Sequence, residues 1–131
     1  MRGLVKQISV FLENKPGRLA ELMKVLEGSK IKVKAMGIAE TGSYGVIRMV
    51  VDRHEEALKT LREANMAANE ASVLAISLED GLYKASKALG EAGVNIEYAY
   101  TASNAVIVKV DDEARARKAL EQAGVKVLEH I

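Results

Sequence analysis

Apolar and polar positions alternate from Val5 to Leu12, the pattern of a strand. The apolar period then lengthens. Leu19, Leu22, Met23 and Leu26 recur at helical spacing, with Arg18, Glu21 and Lys24 outside the stripe. Gly28-Ser29 is a helix stop. Ile31, Val33 and Ala35, with Gly37, alternate against Lys30, Lys32, Lys34 and Met36, which predicts a half-buried strand running to about Glu40. Thr41-Gly42-Ser43 is a turn, and Tyr44 to Val51 is the returning strand of an antiparallel hairpin. Asp52 has the chemistry of an N-cap, with Glu55 as its capping-box partner. The helix that follows carries Ala57, Leu58, Leu61 and Ala64 on one face, and Asn65 can take the left-handed conformation that ends it. Met66 to Ala71 reads as a short strand.

The same succession then returns. Ser72 to Leu78 is a strand, and Leu82, Ala85 and Leu89 form a helical stripe that stops at Gly93. Val94, Ile96, Tyr98 and Tyr100 alternate, Ala102-Ser103-Asn104 turns, and Val106 to Val110 runs back. Asp111 is placed to cap a helix bearing Ala114, Leu120 and Ala123, Gly124 ends it, and Val125, Val127 and Leu128 form a last strand. Leu19, Leu26, Ile31 and Val33 correspond to Leu82, Leu89, Val94 and Ile96, each 63 positions later; Asp52, Ala57, Leu61 and Ala64 correspond to Asp111, Ala116, Leu120 and Ala123, each 59 later. A second hairpin four residues shorter accounts for the difference. The fold class is therefore α+β: two ferredoxin-like βαββαβ units in tandem, with antiparallel sheets and helices on one face. The expected domains are 1–70 and 71–131, joined by nearly continuous strand from Met66 to Leu78. Eight strands in an open sheet leave edges to cover, and Val106, Val108 and Val110 need a partner surface, so a homodimer is expected.

Composition narrows the function. The chain has 131 residues, 49% hydrophobic and 28% charged, with a net charge of +1. Nothing in that balance favours nucleic acid or an anionic membrane. There is no cysteine, which excludes disulfides, thiolate metal sites and cysteine catalysis. No apolar run is long enough for a membrane span, and Met1 to Lys6 lacks a signal-peptide core, so a cytoplasmic location is expected. His54 and His130 stand far apart, and His54 reads as a solvated first-turn residue with no metal spacing around it. No metal or cofactor is expected. Tyr98 and Tyr100 suit packing better than base stacking, Met23, Met36, Met49 and Met66 read as core filler, and the lysine strand 30–34 reads as a solvated face.

Chemistry concentrates in one stretch, Glu13-Asn14-Lys15-Pro16-Gly17-Arg18-Leu19, between the first strand and the first helix. Pro16, the only proline, suits a turn or a first helical position. Gly17 lets a ligand or another backbone approach closely. Beyond it lie the unpaired N–H groups of a helix N-terminus, where a carboxylate or phosphate can dock. The same Pro-Gly can equally do no more than punctuate a turn.

These residues resemble the ACT domain family. Asn14 to Leu19, the helix after it and Ser29 to Ala35 resemble the start of an ACT domain. Glu91-Ala92-Gly93-Val94-Asn95-Ile96-Glu97-Tyr98 is similar to the segment after its first helix, and Ala39 to Arg48 resembles the hairpin of small stand-alone tandem-ACT proteins. The resemblance covers essentially the whole chain. It implies a regulatory module and not an enzyme, one that senses an amino acid at the interface between two ACT domains. Asn14, Lys15, Pro16, Gly17, Arg18 and Leu19 would form the turn side of the site. Asn95 and Ile96, from the second strand of the other half, would supply the facing side. Lys32 stands where the first half would need an asparagine. The second turn, Leu78-Glu79-Asp80-Gly81-Leu82, lacks Pro-Gly, looks shorter and carries carboxylates that repel an anion.

Three functions follow. The first is an amino-acid-sensing tandem ACT protein that acts as a homodimer. The second is a regulatory subunit of an amino-acid biosynthetic enzyme, acetolactate synthase-like, acting only through that partner. The third is a small enzyme on a ferredoxin-like fold such as an acylphosphatase; Asn14, Gly17 and Arg18 imitate its phosphate cradle, but no glycine-rich loop or nucleophile–base pair accompanies them.

Overall fold

The computed structural model describes residues 4–131. Met1, Arg2 and Gly3, which the signal-peptide and domain readings include, lie outside them. The elements are β1 (Leu4–Glu13), α1 (Arg18–Gly28), β2 (Val33–Thr41), β3 (Tyr44–Val51), α2 (His54–Glu63), β4 (Ala67–Ser77), α3 (Tyr83–Glu91), β5 (Ile96–Thr101), β6 (Ala105–Val110), α4 (Glu113–Gln122) and β7 (Val127–Leu128). This is β-α-β-β-α-β twice over, two ferredoxin-like units in tandem. The two strands expected between Met66 and Leu78 are one, β4. No glycine or proline interrupts it, and the described strands number seven. The chain divides into an N-terminal unit, Lys6–Ala71, and a C-terminal unit, Ser72–Ile131, to which Leu4 and Val5 also belong.

In the N-terminal unit β3 lies between β1 and β2, antiparallel to both. The register sets Ile8 opposite Met49 and Val10 opposite Ile47, so these side chains share one face. Onto that face α1 brings Leu22 and Leu26, and α2 brings Ala57, Leu58 and Leu61, closing a core with Ile31, Val51 and Ala68. Each fully buried leucine or isoleucine contributes about 1.5–3 kcal/mol. Met49 is core filler as expected, and Met23 and Met66 pack at its edge, but Met36 is 39% exposed because it lies on β2, at the end of the strand order. Leu19, placed in the apolar stripe by its spacing, is 38% exposed; it sits in the first turn of α1.

The C-terminal unit repeats the plan. β6 lies between β4 and β5, and β7 pairs with β4 on its other side. Leu74, Ile76, Val106, Val108 and Val110 meet Ala85, Leu89, Ala116 and Leu120 from α3 and α4. The three alternating valines are thus covered by helices of their own unit, not by a partner surface.

The repeat extends to backbone angles. Lys30 (φ 57) and Gly93 (φ 73) end corresponding helices in the left-handed region, as do Asn65 (φ 59) and Gly124 (φ 74). The recurring aspartates do something other than the capping that their position suggests. Asp52 is not an N-cap; its Oδ1 accepts from the Lys32 N–H (3.0 Å), and its own N–H donates to the Lys32 carbonyl (3.1 Å). Asp111 holds Asn95 in the same way, at 3.0 and 3.2 Å. Both carboxylates clamp the chain where it enters the second strand of the unit. The helix caps fall one residue later: Arg53 caps α2 without a side-chain bond, and Asp112 caps α4, accepting from the Arg115 N–H at 3.0 Å. Glu55 closes no capping box and pairs instead with Lys6 at 3.0 Å. Arg53 donates to the carbonyls of Ser29 and Lys30 (2.5 and 2.7 Å) and so satisfies the C-terminus of α1.

Candidate functional site

The turn Asn14–Gly17 leads from β1 into α1 and is tied to the β2–β3 hairpin by one residue. The Asn14 N–H donates to the Ser43 carbonyl (2.8 Å), and its side-chain amide donates to the Gly42 carbonyl (3.1 Å). Gly17 has φ +88, which a side chain at this position would strain, although a Cβ there would meet nothing within 4 Å. Glycine is therefore required by the turn itself, beyond the close approach expected of it. Pro16 is exposed.

Beneath this turn lies a cavity of about 110 Å³, lined by Leu12, Glu13, Asn14, Lys15, Arg18, Leu19, Ile38, Gly45 and Ile47. Four residues singled out from the sequence, Asn14, Lys15, Arg18 and Leu19, come together there; Pro16 and Gly17 shape the turn without lining the cavity. Glu13, the first residue of the stretch Glu13–Leu19, joins those four, and Leu12, Ile38, Gly45 and Ile47 join the wall unannounced. The signal for them was the register: Leu12 opposes Gly45 on β3, and Ile38 opposes Ile47 across the hairpin.

The polar rim holds both signs of charge. Glu13 takes Lys15 Nζ at 3.1 Å and Arg18 Nη2 at 3.3 Å, and Arg18 Nη1 reaches Glu21 at 3.0 Å. The hydrogen bond and charge of Lys15, with the charge of Arg18, hold the Glu13 carboxyl below its usual range. At the head of α1 the Arg18 N–H turns back to the Lys15 carbonyl and the Glu21 N–H to the Gly17 carbonyl, while no side chain caps the helix. The end thus offers first-turn donors and the positive end of the helix dipole. A group bearing a carboxylate beside an ammonium finds complementary charge here.

The second turn, Leu78–Leu82, has five residues against four in the first, so it is longer, not shorter. It too contains a left-handed glycine, Gly81 at φ +78, and the Leu78 N–H donates to the Asn104 carbonyl. The cavity under it, about 90 Å³, is walled by Ile76, Leu82, Ala85, Ser86, Leu89, Ile96, Ala99, Val106 and Val108, with no charged side chain. Ile96 is one of those walls. Asn95 is exposed just before β5, its backbone held by Asp111.

His54 is not solvated. Its side chain is 12% exposed, Nε2 lies 2.6 Å from Glu70 Oε2, and Nδ1 is buried without a hydrogen-bond partner. The bond from His54 holds the Glu70 carboxyl below its usual range. Donor atoms of His54, Glu55 and Glu70 lie within 4.8 Å of one another, but Glu55 is paired with the Lys6 ammonium and Glu70 is hydrogen-bonded to the imidazole, so these donors are already engaged. Tyr98 and Tyr100 are half-buried on β5, opposite Lys109 and Ile107. No described helix is long and apolar enough to cross a membrane.

The family model described as an ACT domain pair matches residues 3–130. Among solved structures, protein BT0572 from Bacteroides thetaiotaomicron is similar at 32% identity and TM-score 0.87, over 97% of this chain and 93% of that one. The ligand-free regulatory subunit of aspartate kinase from Thermus thermophilus is similar in fold, at 22% identity and TM-score 0.68 over 94% and 95% of the two chains. Its counterpart from Thermus flavus gives 21% and 0.67 over 95% and 94%. No curated protein matches the chain.

Proposed function

From the premise that this chain belongs to the ACT domain pair family, we propose that it is an amino-acid sensor whose site is built on the Asn14–Leu19 turn. The observation that carries this reading is the cavity under that turn, with Lys15 and Arg18 beside Glu13 at its rim and apolar side chains within. Lys15, Arg18 and the first-turn N–H groups receive the α-carboxylate, and Glu13 receives the ammonium. Asn14 fixes the hairpin to the turn; Pro16 and Gly17 fix its path. In a homodimer, the partner copy offers Asn95 and Ile96 to the same ligand. Binding is regulatory and not catalytic. Its output passes to a partner, for which an amino-acid metabolic enzyme is the proposed class; the regulatory subunits of aspartate kinase among the structures of similar fold make that kinase the first enzyme to try.

A thermal-shift screen against the twenty amino acids tests the reading, because a ligand that binds only the folded state raises its stability. One amino acid should raise the melting temperature, and Arg18→Ala should abolish the rise. A charged hydrogen bond to a ligand is worth about 1.5–3 kcal/mol, so Asn95→Ala should weaken binding roughly ten- to hundredfold. No response to any amino acid would defeat the proposal. Light scattering at micromolar concentration checks the dimer, and co-purification checks the enzyme partner.

A further inference from the structure

The cavity under the first turn has a size and a wall that select among ligands. Inside the charged rim its lining is aliphatic: Leu12, Leu19, Ile38 and Ile47, with Gly45 between them. An apolar protein cavity of about 150 Å³ holds the six carbons of benzene. At about 110 Å³, this one matches the volume of about four carbon atoms, and it opens to solvent beside Ile38.

Gly45 is a glycine that its backbone does not require. It lies within β3 opposite Leu12 and has no left-handed φ. A Cβ built there would lie 3.8 Å from Ile38 Cγ2 and 4.0 Å from Ile47 Cδ1, in ordinary contact with the two aliphatic walls. An alanine therefore fits the fold, and what it would take away is cavity. In the C-terminal unit the shorter β5 and β6 build a cavity whose walls include no glycine.

Resting on the amino-acid reading above, we propose that the ligand is an amino acid with an aliphatic side chain of three or four carbons, the size of valine, leucine or isoleucine, and that Gly45 sets the length accepted. The side chain enters between Ile38, Ile47 and Leu19, with Gly45 at the end of the space. The ammonium group faces Glu13, so the corresponding 2-oxo acid, which lacks that group, binds more weakly.

Calorimetry on the full chain with alanine, valine, leucine, phenylalanine, lysine and 4-methyl-2-oxopentanoate tests this. The expected order places valine or leucine first, with phenylalanine and lysine at least roughly tenfold weaker, since a single methylene in a fitted pocket is worth roughly ten- to two-hundredfold. Gly45→Ala should weaken leucine by roughly tenfold or more and leave alanine within about twofold. Glu13→Gln should narrow the gap between leucine and its 2-oxo acid. If Gly45→Ala does not fold, Ile38→Ala at the 56% exposed wall position enlarges the space, and phenylalanine should then gain on leucine. Tightest binding by phenylalanine or lysine, or a Gly45→Ala variant with unchanged selectivity, would overturn the proposal while leaving amino-acid sensing intact. Binding of none of the twenty amino acids would overturn both.

Discussion

Lys30 occupies a backbone conformation that its repeat partner, Gly93, occupies without cost. A non-glycine residue in the left-handed region loses about 1–2 kcal/mol to the contact of its Cβ with the following carbonyl. Glycine returns part of this through the extra entropy of the unfolded chain. Lys30→Gly should therefore stabilise the protein by about 0.5–1 kcal/mol, read as a higher denaturation midpoint with unchanged slope. A second prediction concerns acid. Glu70 is depressed by the bond from His54, with Lys6 and Arg62 adding positive charge, and Glu13 is depressed by Lys15 and Arg18. A depressed carboxylate contributes stability above its unfolded value, here the ordinary 4.5, and loses that contribution as pH falls through the lower folded value. Thermal stability should fall as the pH drops below about 4.5, and Glu70→Gln should flatten that fall.

At the scale of elements, neighbouring aspartates have separate tasks. Asp112 caps α4 through the Arg115 N–H, so Asp112→Ala should cost about 1 kcal/mol in chemical denaturation. Asp111 instead accepts from the Asn95 N–H, and Asp52 from the Lys32 N–H. Hydrogen exchange separates the two roles: Asp111→Ala should speed exchange at Asn95 and leave the first turn of α4 protected, and Asp112→Ala should do the reverse. The two hairpins differ to a purpose as well. The longer β2 and β3 carry Ile38 and Gly45 into the wall of the first cavity. The shorter β5 and β6 contribute Ile96, Ala99, Val106 and Val108 to the second.

For the whole molecule, duplicated architecture does not mean duplicated binding. The first cavity has Lys15, Arg18 and Glu13 at its rim; the second has no charged wall, and Glu79 and Asp80 lie in the turn outside it. Moving an ammonium and a carboxylate from water to a wall without partners carries a large desolvation penalty. Calorimetry should accordingly count one amino acid per chain, and Lys32→Ala should leave its affinity unchanged. Two equal sites per chain would contradict this. Each unit carries its own hydrophobic core, and truncation of a fully buried member such as Leu61 or Leu120 to alanine falls in the range of about 2–5 kcal/mol.

Period and repetition determined the elements and their order, except that two expected strands run on as β4, and the motifs at Asn14–Leu19, Ala39–Arg48 and Glu91–Tyr98 carried the resemblance to the family. Alternation and helical spacing are local consequences of backbone geometry, and two copies offset by 63 and 59 positions support each other. The importance of the Asn14–Leu19 turn was legible for the same reason: proline, glycine and the head of a helix act within a few residues of one another. Tertiary structure decided what depends on partners far along the chain. Spacing alone makes Leu19 and Leu82 core residues, yet each lines a cavity at the head of its helix, because the sheet below fixes where the core stops. Spacing makes Asp52 and Asp111 caps, yet each carboxylate meets the N–H of a residue 20 or 16 positions away. Leu12, Ile38, Gly45 and Ile47 become one wall only through strand register, which a hydrophobic pattern cannot specify where glycine interrupts it.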